Sequence, residues 1–193
     1  MRKFSRLTII VMAMTVIMAI LAGCGKTDST SSAATRTLTY KDQTYTVPAK
    51  PERIAVLANS LLYFMDAIDA KSISRVETQD DMPAHLKELP SLGQTANINM
   101  EQLIGLKPDL VIGLSNQHSK FEGQLQSNKL PYILISYDGI KDNVPLIEFL
   151  GQLTNHEEKA KEVIAQYNSK IDKVKNAVKN VTTGPRSRVA RYR

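Results

Sequence analysis

Apolar and polar positions alternate with two different periods along this chain. Leu38, Tyr40, Tyr45 and Val47 alternate with polar neighbours on either side of Lys41-Asp42-Gln43-Thr44, which predicts a small hairpin closed before Pro48 and Pro51. Arg53-Ile54-Ala55-Val56-Leu57 then forms an unbroken apolar run and predicts a buried strand. Ser60 is placed to cap a helix presenting Leu61, Leu62, Phe64, Met65 and Ile68, and Ile73 to Val76 reads as the next strand. Asn99 caps a short helix, Met100 to Leu106, that stops before Pro108. Asp109-Leu110-Val111-Ile112-Gly113 follows as a strand, Phe121 to Asn128 as a helix, and Pro131 introduces the strand Tyr132-Ile133-Leu134-Ile135-Ser136.

From Asp142 the period is helical. Val144, Ile147, Phe149 and Leu150 share one face, and after a link at Gly151 to Asn155 a second helix runs from about His156 to Asn180. Its apolar residues Ala160, Val163, Ile164, Tyr167, Ile171, Val174 and Val178 keep spacings of three and four throughout. Strands of near-continuous hydrophobicity alternating with helices imply an α/β lobe, a parallel sheet covered on both faces in three layers. In such sheets ligands gather beyond the carboxyl ends of the strands. That singles out the loops 58–60, 114–119 and 136–139.

The amino-terminal segment changes the picture. Arg2, Lys3 and Arg6 precede Leu7 to Ala22, which carry no charge, and Leu21-Ala22-Gly23 leads into Cys24, the one cysteine of the 193 residues. This layout is that of a secretory signal with its cleavage point, so residues 1–23 are expected to be removed. Leu-Ala-Gly-Cys resembles the bacterial lipoprotein signal, in which the cysteine thiol is lipidated. Acyl chains on Cys24, at about 0.8 kcal/mol per buried methylene, would hold the protein on the outer face of a cell membrane. Residues 24–37 have few large apolar side chains and read as a flexible tether.

The formal charge of +6 is uneven, with three positives in the signal and Arg186, Arg188, Arg191 and Arg193 crowded at the other end. The near-neutral remainder lacks the basic footprint that phosphate backbones require, which excludes a nucleic-acid binder. His, Cys, Asp and Glu show no metal-ligand spacing, so no metal site and no cofactor is expected. A hydrolase would need Ser60 or Ser115 to work with His118, but there is no Gly-x-Ser-x-Gly elbow and no base and orienter can be paired among His85, His118 and His156. No catalytic residue is assigned.

Several blocks carry a family resemblance: Val47-Pro48-Ala49-Lys50-Pro51-Glu52-Arg53-Ile54, Leu92-Gly93 ahead of Asn99-Met100-Glu101-Gln102-Leu103, Leu106-Lys107-Pro108-Asp109-Leu110-Val111, and Leu150-Gly151 before Glu158-Lys159-Ala160. In this order the chain resembles the extracytoplasmic substrate-binding proteins of bacterial ABC importers for iron-siderophore complexes, haem and cobalamin. The resemblance implies two lobes joined by one long helix, with a ligand held in the cleft between them. On that reading residues 38–155 are the first lobe, 156–180 the inter-lobe helix, and 181–193 the place where lobe two opens. Four arginines within residues 186–193 do not make a buried strand. The expectation is therefore that lobe two is missing, through truncation or a broken reading frame near Ser187.

The resemblance also implies roles. Glu101 takes the place of an acidic residue that docks on the permease. The cleft-mouth loops offer Asn59, Ser60, Asn116, Gln117, His118, Tyr137 and Asp138 to a ligand, with Tyr137 able to stack on a flat molecule and His118 able to donate to an anionic one or to ligate haem iron. The implied function is capture of an iron(III)-siderophore or similar complex for delivery to an ABC permease and its ATPase. Haem or cobalamin import stays open, as does a surface sensor or adhesin that does not transport.

Overall fold

The computed structural model describes residues 34–179. The signal segment, Cys24, most of the tether and residues 181–193 lie outside the described residues. Two strands, β1 (Thr35–Tyr40) and β2 (Gln43–Pro48), pair antiparallel as the predicted hairpin, with Leu38 opposite Tyr45. The turn is narrower than the sequence pattern implied, because Lys41 adopts a left-handed conformation (φ 52°) and closes it with Asp42 alone.

The central sheet is parallel. Strand β3 (Ile54–Val56) is followed by helix α1 (Asn59–Ala67) and the short helix α2 (Ala84–Lys87). A two-residue ribbon, β4 (Gly93–Gln94) with β5 (Asn97–Ile98), leads into α3 (Met100–Gly105), which Asn99 caps by accepting the Gln102 N–H at 3.0 Å. Strand β6 (Leu110–Leu114) runs directly into the one-turn helix α4 (Ser115–His118), then a 3-10 turn and α5 (Glu122–Ser127). Strand β7 (Tyr132–Ile135) completes the sheet in the order β3-β6-β7. A 3-10 turn (Ile140–Asp142) then leads to α6 (Asn143–Thr154) and the long α7 (Glu157–Lys179).

Side chains alternate across the sheet and fill two cores. Ile54, Val56, Leu110, Ile112, Ile133 and Ile135 face α1, α6 and the hairpin. Ala55, Leu57 and Val111 face Leu103, Phe121 and Leu125 on the other side. Both faces are covered, which is why the strands read as continuous apolar runs rather than alternating ones. Burying each of these large side chains contributes about 1.5–3 kcal/mol.

Three local expectations are corrected. Ser60 does not cap α1: Ala58 occupies the cap position with no side-chain bond, and the helix starts at Asn59. Residues 73–76 lie along β3 but form no regular ladder, because the hydroxyls of Ser72 and Ser74 take up β3's backbone groups. Gly151 is not in the link between the last two helices. It lies inside α6, buried, where an added Cβ would come 2.6 Å from the Ala160 side chain, so the glycine sets how closely α6 and α7 approach. The reversal is made instead by Asn155, left-handed at φ 58°.

Two of the blocks quoted for the resemblance prove to be joined. The Asp109 carboxylate accepts the backbone N–H groups of Glu52 and Arg53 at 2.7 and 3.0 Å, while the Arg53 guanidinium donates to the carbonyls of Leu106 and Lys107. This reciprocal clasp fixes the amino-terminal ends of β3 and β6.

Candidate ligand-binding site

Parallel strands send their carboxyl ends to one edge of the sheet, and the loops that follow meet there. Ser60 follows β3, Asn116 and Gln117 follow the central strand β6, and Tyr137 and Asp138 follow β7. Among these Ser60, Asn116, Gln117 and Asp138 are exposed and Tyr137 is half-buried. Two of the expected ligand residues are not available at this edge. The Asn59 side-chain amide is engaged with the backbone of Val76, donating one N–H at 3.0 Å and accepting at 3.1 Å, which turns it away from the edge.

His118 is turned into the core with no exposed surface. Its Nδ1 accepts the Leu114 N–H at 2.9 Å and lies 3.0 Å from the Leu114 carbonyl, and its ring stacks on Phe121. Burial lowers its pKa, so the neutral imidazole is favoured. Gly113 makes the inward turn possible, since a Cβ there would press on both Leu134 and the His118 ring at 2.8 and 3.2 Å. The hydrolase arrangement is not assembled either: Ser115 Oγ donates to the Ile135 carbonyl, and neither Ser60 nor Ser115 bonds the imidazole.

The structure adds residues that the sequence pattern assigned to helix faces. Phe64 of α1 meets the Tyr137 ring edge-on at 5.8 Å between centroids. The Tyr137 hydroxyl donates to Asn143 Oδ1 at 2.7 Å, and Asn143 Nδ2 donates to the Tyr167 hydroxyl of α7 at 3.3 Å. Burial raises the Tyr137 pKa, which keeps that phenol a donor. Ser60, Tyr63, Phe64, Ile147, Val163 and Tyr167 line an apolar groove of about 380 Å³ between α1 and α7. Apolar periodicity alone cannot distinguish such a groove from core, because the same spacing serves both.

A larger hollow, about 520 Å³, lies between α6 and α7 and is lined by Val144, Gln152, Ala160 and Ile164. None of the strand-end candidates lines it, whereas Ser60 lines the aromatic groove and Tyr137 packs on its Phe64 wall, which makes the groove the better candidate site. Glu101 stands apart in the exposed first turn of α3. Among the described residues, no three His, Cys, Asp or Glu side chains are placed to hold a metal ion.

Comparison with known proteins places this architecture. The family described as periplasmic binding protein matches residues 64–191. The chain belongs to the periplasmic binding protein family. Two similar proteins of Bacillus subtilis (strain 168) are the probable siderophore-binding lipoprotein YfiY, 29% identical over 84% of this chain, and the iron-uptake system-binding protein, 27% identical over all of it. This periplasmic binding protein spans 53% and 63% of their lengths. The crystal structure of the triscatecholate siderophore-binding protein FeuA from Bacillus subtilis, complexed with ferri-bacillibactin, has the same fold over 73% of this chain and 51% of its own. That match has a TM-score of 0.63 at 21% identity.

Proposed function

We propose that this periplasmic binding protein captures an iron(III)-siderophore or similar iron complex outside the membrane and hands it to an ABC permease. In this reading residues 38–155 are one ligand-binding lobe, α7 continues as the inter-lobe helix, and lipidated Cys24 holds the protein at the outer membrane surface. No bond is made or broken; the work is capture and release. The observation that carries the reading is the convergence of Ser60, Phe64, Tyr137 and Tyr167 at the carboxyl edge of a parallel sheet, in a family whose similar members are named for siderophore and iron uptake. Aromatic faces and hydroxyls suit a bulky, partly flat metal chelate with oxygen-rich edges.

Calorimetric titration of the full chain with a ferric trihydroxamate, a ferric catecholate, ferric citrate, haem and cobalamin tests this. At least one ferric chelate is expected to bind, and Tyr137→Ala is expected to weaken it about tenfold, the loss of one stacked and hydrogen-bonded contact. Binding of haem alone, read from its absorption band, would transfer the reading to haem import. Binding of none of the five would overturn it.

A further inference from the structure

The hairpin tip reaches the same edge of the sheet as the candidate site, and one carboxylate there holds two very different partners. The Lys41 ammonium donates to Asp142 Oδ2 at 2.6 Å, and the same oxygen accepts the backbone N–H of Asp138 at 2.6 Å. Asp142 is 4% exposed, so this is a buried anion rather than a solvated surface pair. Lys41 is confined further by Asp138 Oδ2 at 3.8 Å and by the Tyr40 ring at 5.4 Å from its ammonium. Tyr40 in turn packs on Phe149 of α6 at 5.3 Å, and the Tyr45 hydroxyl, whose one proton is shared between Gln43 Oε1 at 2.6 Å and the Leu134 carbonyl of β7 at 3.2 Å, lies against that strand. The hairpin is thus fastened to the strand before the 136–142 loop and to the helix after it.

We propose that Lys41 and Asp142 are positioning residues: the hairpin tip clamps the 136–142 loop so that Tyr137 and Asp138 face a ligand. This rests on the reading of that loop as ligand-facing. A loop that turns on Gly139 (φ 95°) has a backbone free to take other shapes. Tyr137 is tied at its hydroxyl to Asn143. The Asp138 amide has its carboxylate partner one turn further along, and among the described residues Lys41 of the hairpin is the side chain that bonds that carboxylate. Asp142 without Lys41 would be a buried charge with a single amide donor, an arrangement that favours release of the loop. A simple surface ion pair would involve no backbone group of the loop; this one does.

Amide hydrogen exchange on the full chain without any ligand is the test. In Lys41→Met and in Asp142→Ala the Asp138 amide is expected to exchange about tenfold faster or more, while amides of β6 keep their protection. Lys41→Arg is expected to restore slow exchange. The charge-reversed pair, Lys41→Asp with Asp142→Lys, is expected not to, because a lysine cannot accept the Asp138 N–H. Rescue by the reversed pair would mean that attraction alone matters and would overturn the clamp. Unchanged exchange in Lys41→Met, a substitution at a partly exposed turn that the fold can absorb, would overturn it as well. The ligand half is read separately, by titrating wild type and Lys41→Met with a ferric trihydroxamate, a ferric catecholate and ferric citrate. Faster exchange with unchanged affinity overturns the link to binding. Failure of the wild type to bind any of the three overturns the function reading and with it the ligand half, whereas the exchange result judges the clamp by itself.

Discussion

At the scale of single residues, the structure separates side chains that the sequence made look alike. His118 and Tyr137 both stand just past a strand end, yet one is core and the other faces the edge. The difference has a consequence for pH. The folded pKa of His118 is lowered by burial, so its neutral form is favoured in the fold. Above the ordinary value of 6.5 both folded and unfolded chains hold it neutral, and it has no effect on stability. As pH falls below 6.5 the unfolded chain takes up the proton first, and stability drops until the lowered folded value is reached. Asp142 works at lower pH. Its carboxyl is held below 3.8 by the bond from Lys41 and then by the Asp138 amide, so its contribution is present above 3.8 and disappears as pH falls through the lowered folded value. Urea unfolding at pH 7.5 and pH 5 should therefore show a loss for the wild type that is smaller in His118→Phe. An identical loss in both would refute the burial argument.

At the scale of elements, the packing of α6 on α7 depends on the glycine that the sequence placed in a loop. Gly151→Ala would put a methyl group into space taken by Ala160 and should destabilise by about 1–3 kcal/mol, as overpacking of a close contact does. Denaturant midpoints measure this, and a neutral result would mean that the helices can part without strain. The Asp109 clasp makes a comparable prediction. Asp109→Ala leaves the N–H groups of Glu52 and Arg53 without their carboxylate and should cost about 1–3 kcal/mol, read from the same unfolding curves. The hairpin is likewise more than an edge ornament: Arg36 donates to the Gln152 and Leu153 carbonyls at the end of α6, at 2.6 and 2.8 Å, while Lys41 grips the loop at its start. It spans one helix from end to end.

At the scale of the whole molecule, the proposed function makes the described residues one wall of a ligand site. A cleft can enclose most of a ligand, whereas a single wall covers about one face; a deficit of about 4 kcal/mol weakens binding roughly a thousandfold. If residues 38–155 supply one face of a cleft, as the proposed reading has it, the 193-residue polypeptide should bind a ferric chelate no more tightly than micromolar, and a nanomolar one-to-one complex would refute that reading. The exposed Val174 and Val178 at the end of α7 continue the apolar stripe past the last of its packing. If Glu101 docks on a permease, as the resemblance implies, Glu101→Ala should reduce uptake and leave ligand affinity unchanged, since the carboxylate is exposed in the first turn of α3 and does not line the aromatic groove. An affinity loss would move Glu101 into the ligand site. Cys24→Ser should leave membranes or remain unprocessed on fractionation, and a processed, membrane-bound variant would reject lipidation at that residue.

The amino-acid sequence by itself determined the α/β layering, the parallel strands and the sheet edge proposed to meet a ligand. Those follow from local periodicity and from turn residues such as Asn99, Pro108 and Pro131, which act within a few positions. It also carried the resemblance through blocks whose joint purpose, the Asp109 and Arg53 clasp, is invisible until the chain folds. Only the tertiary structure decided which polar residue near a strand end faces out. Asn59 and His118 are drawn inward by Val76 and Leu114, and Gly113 clears the room for the imidazole. It alone brought Phe64, Asn143 and Tyr167 to Tyr137, and Lys41 to Asp142 across 101 positions. Contacts at that separation depend on how the elements dock, which no local pattern encodes.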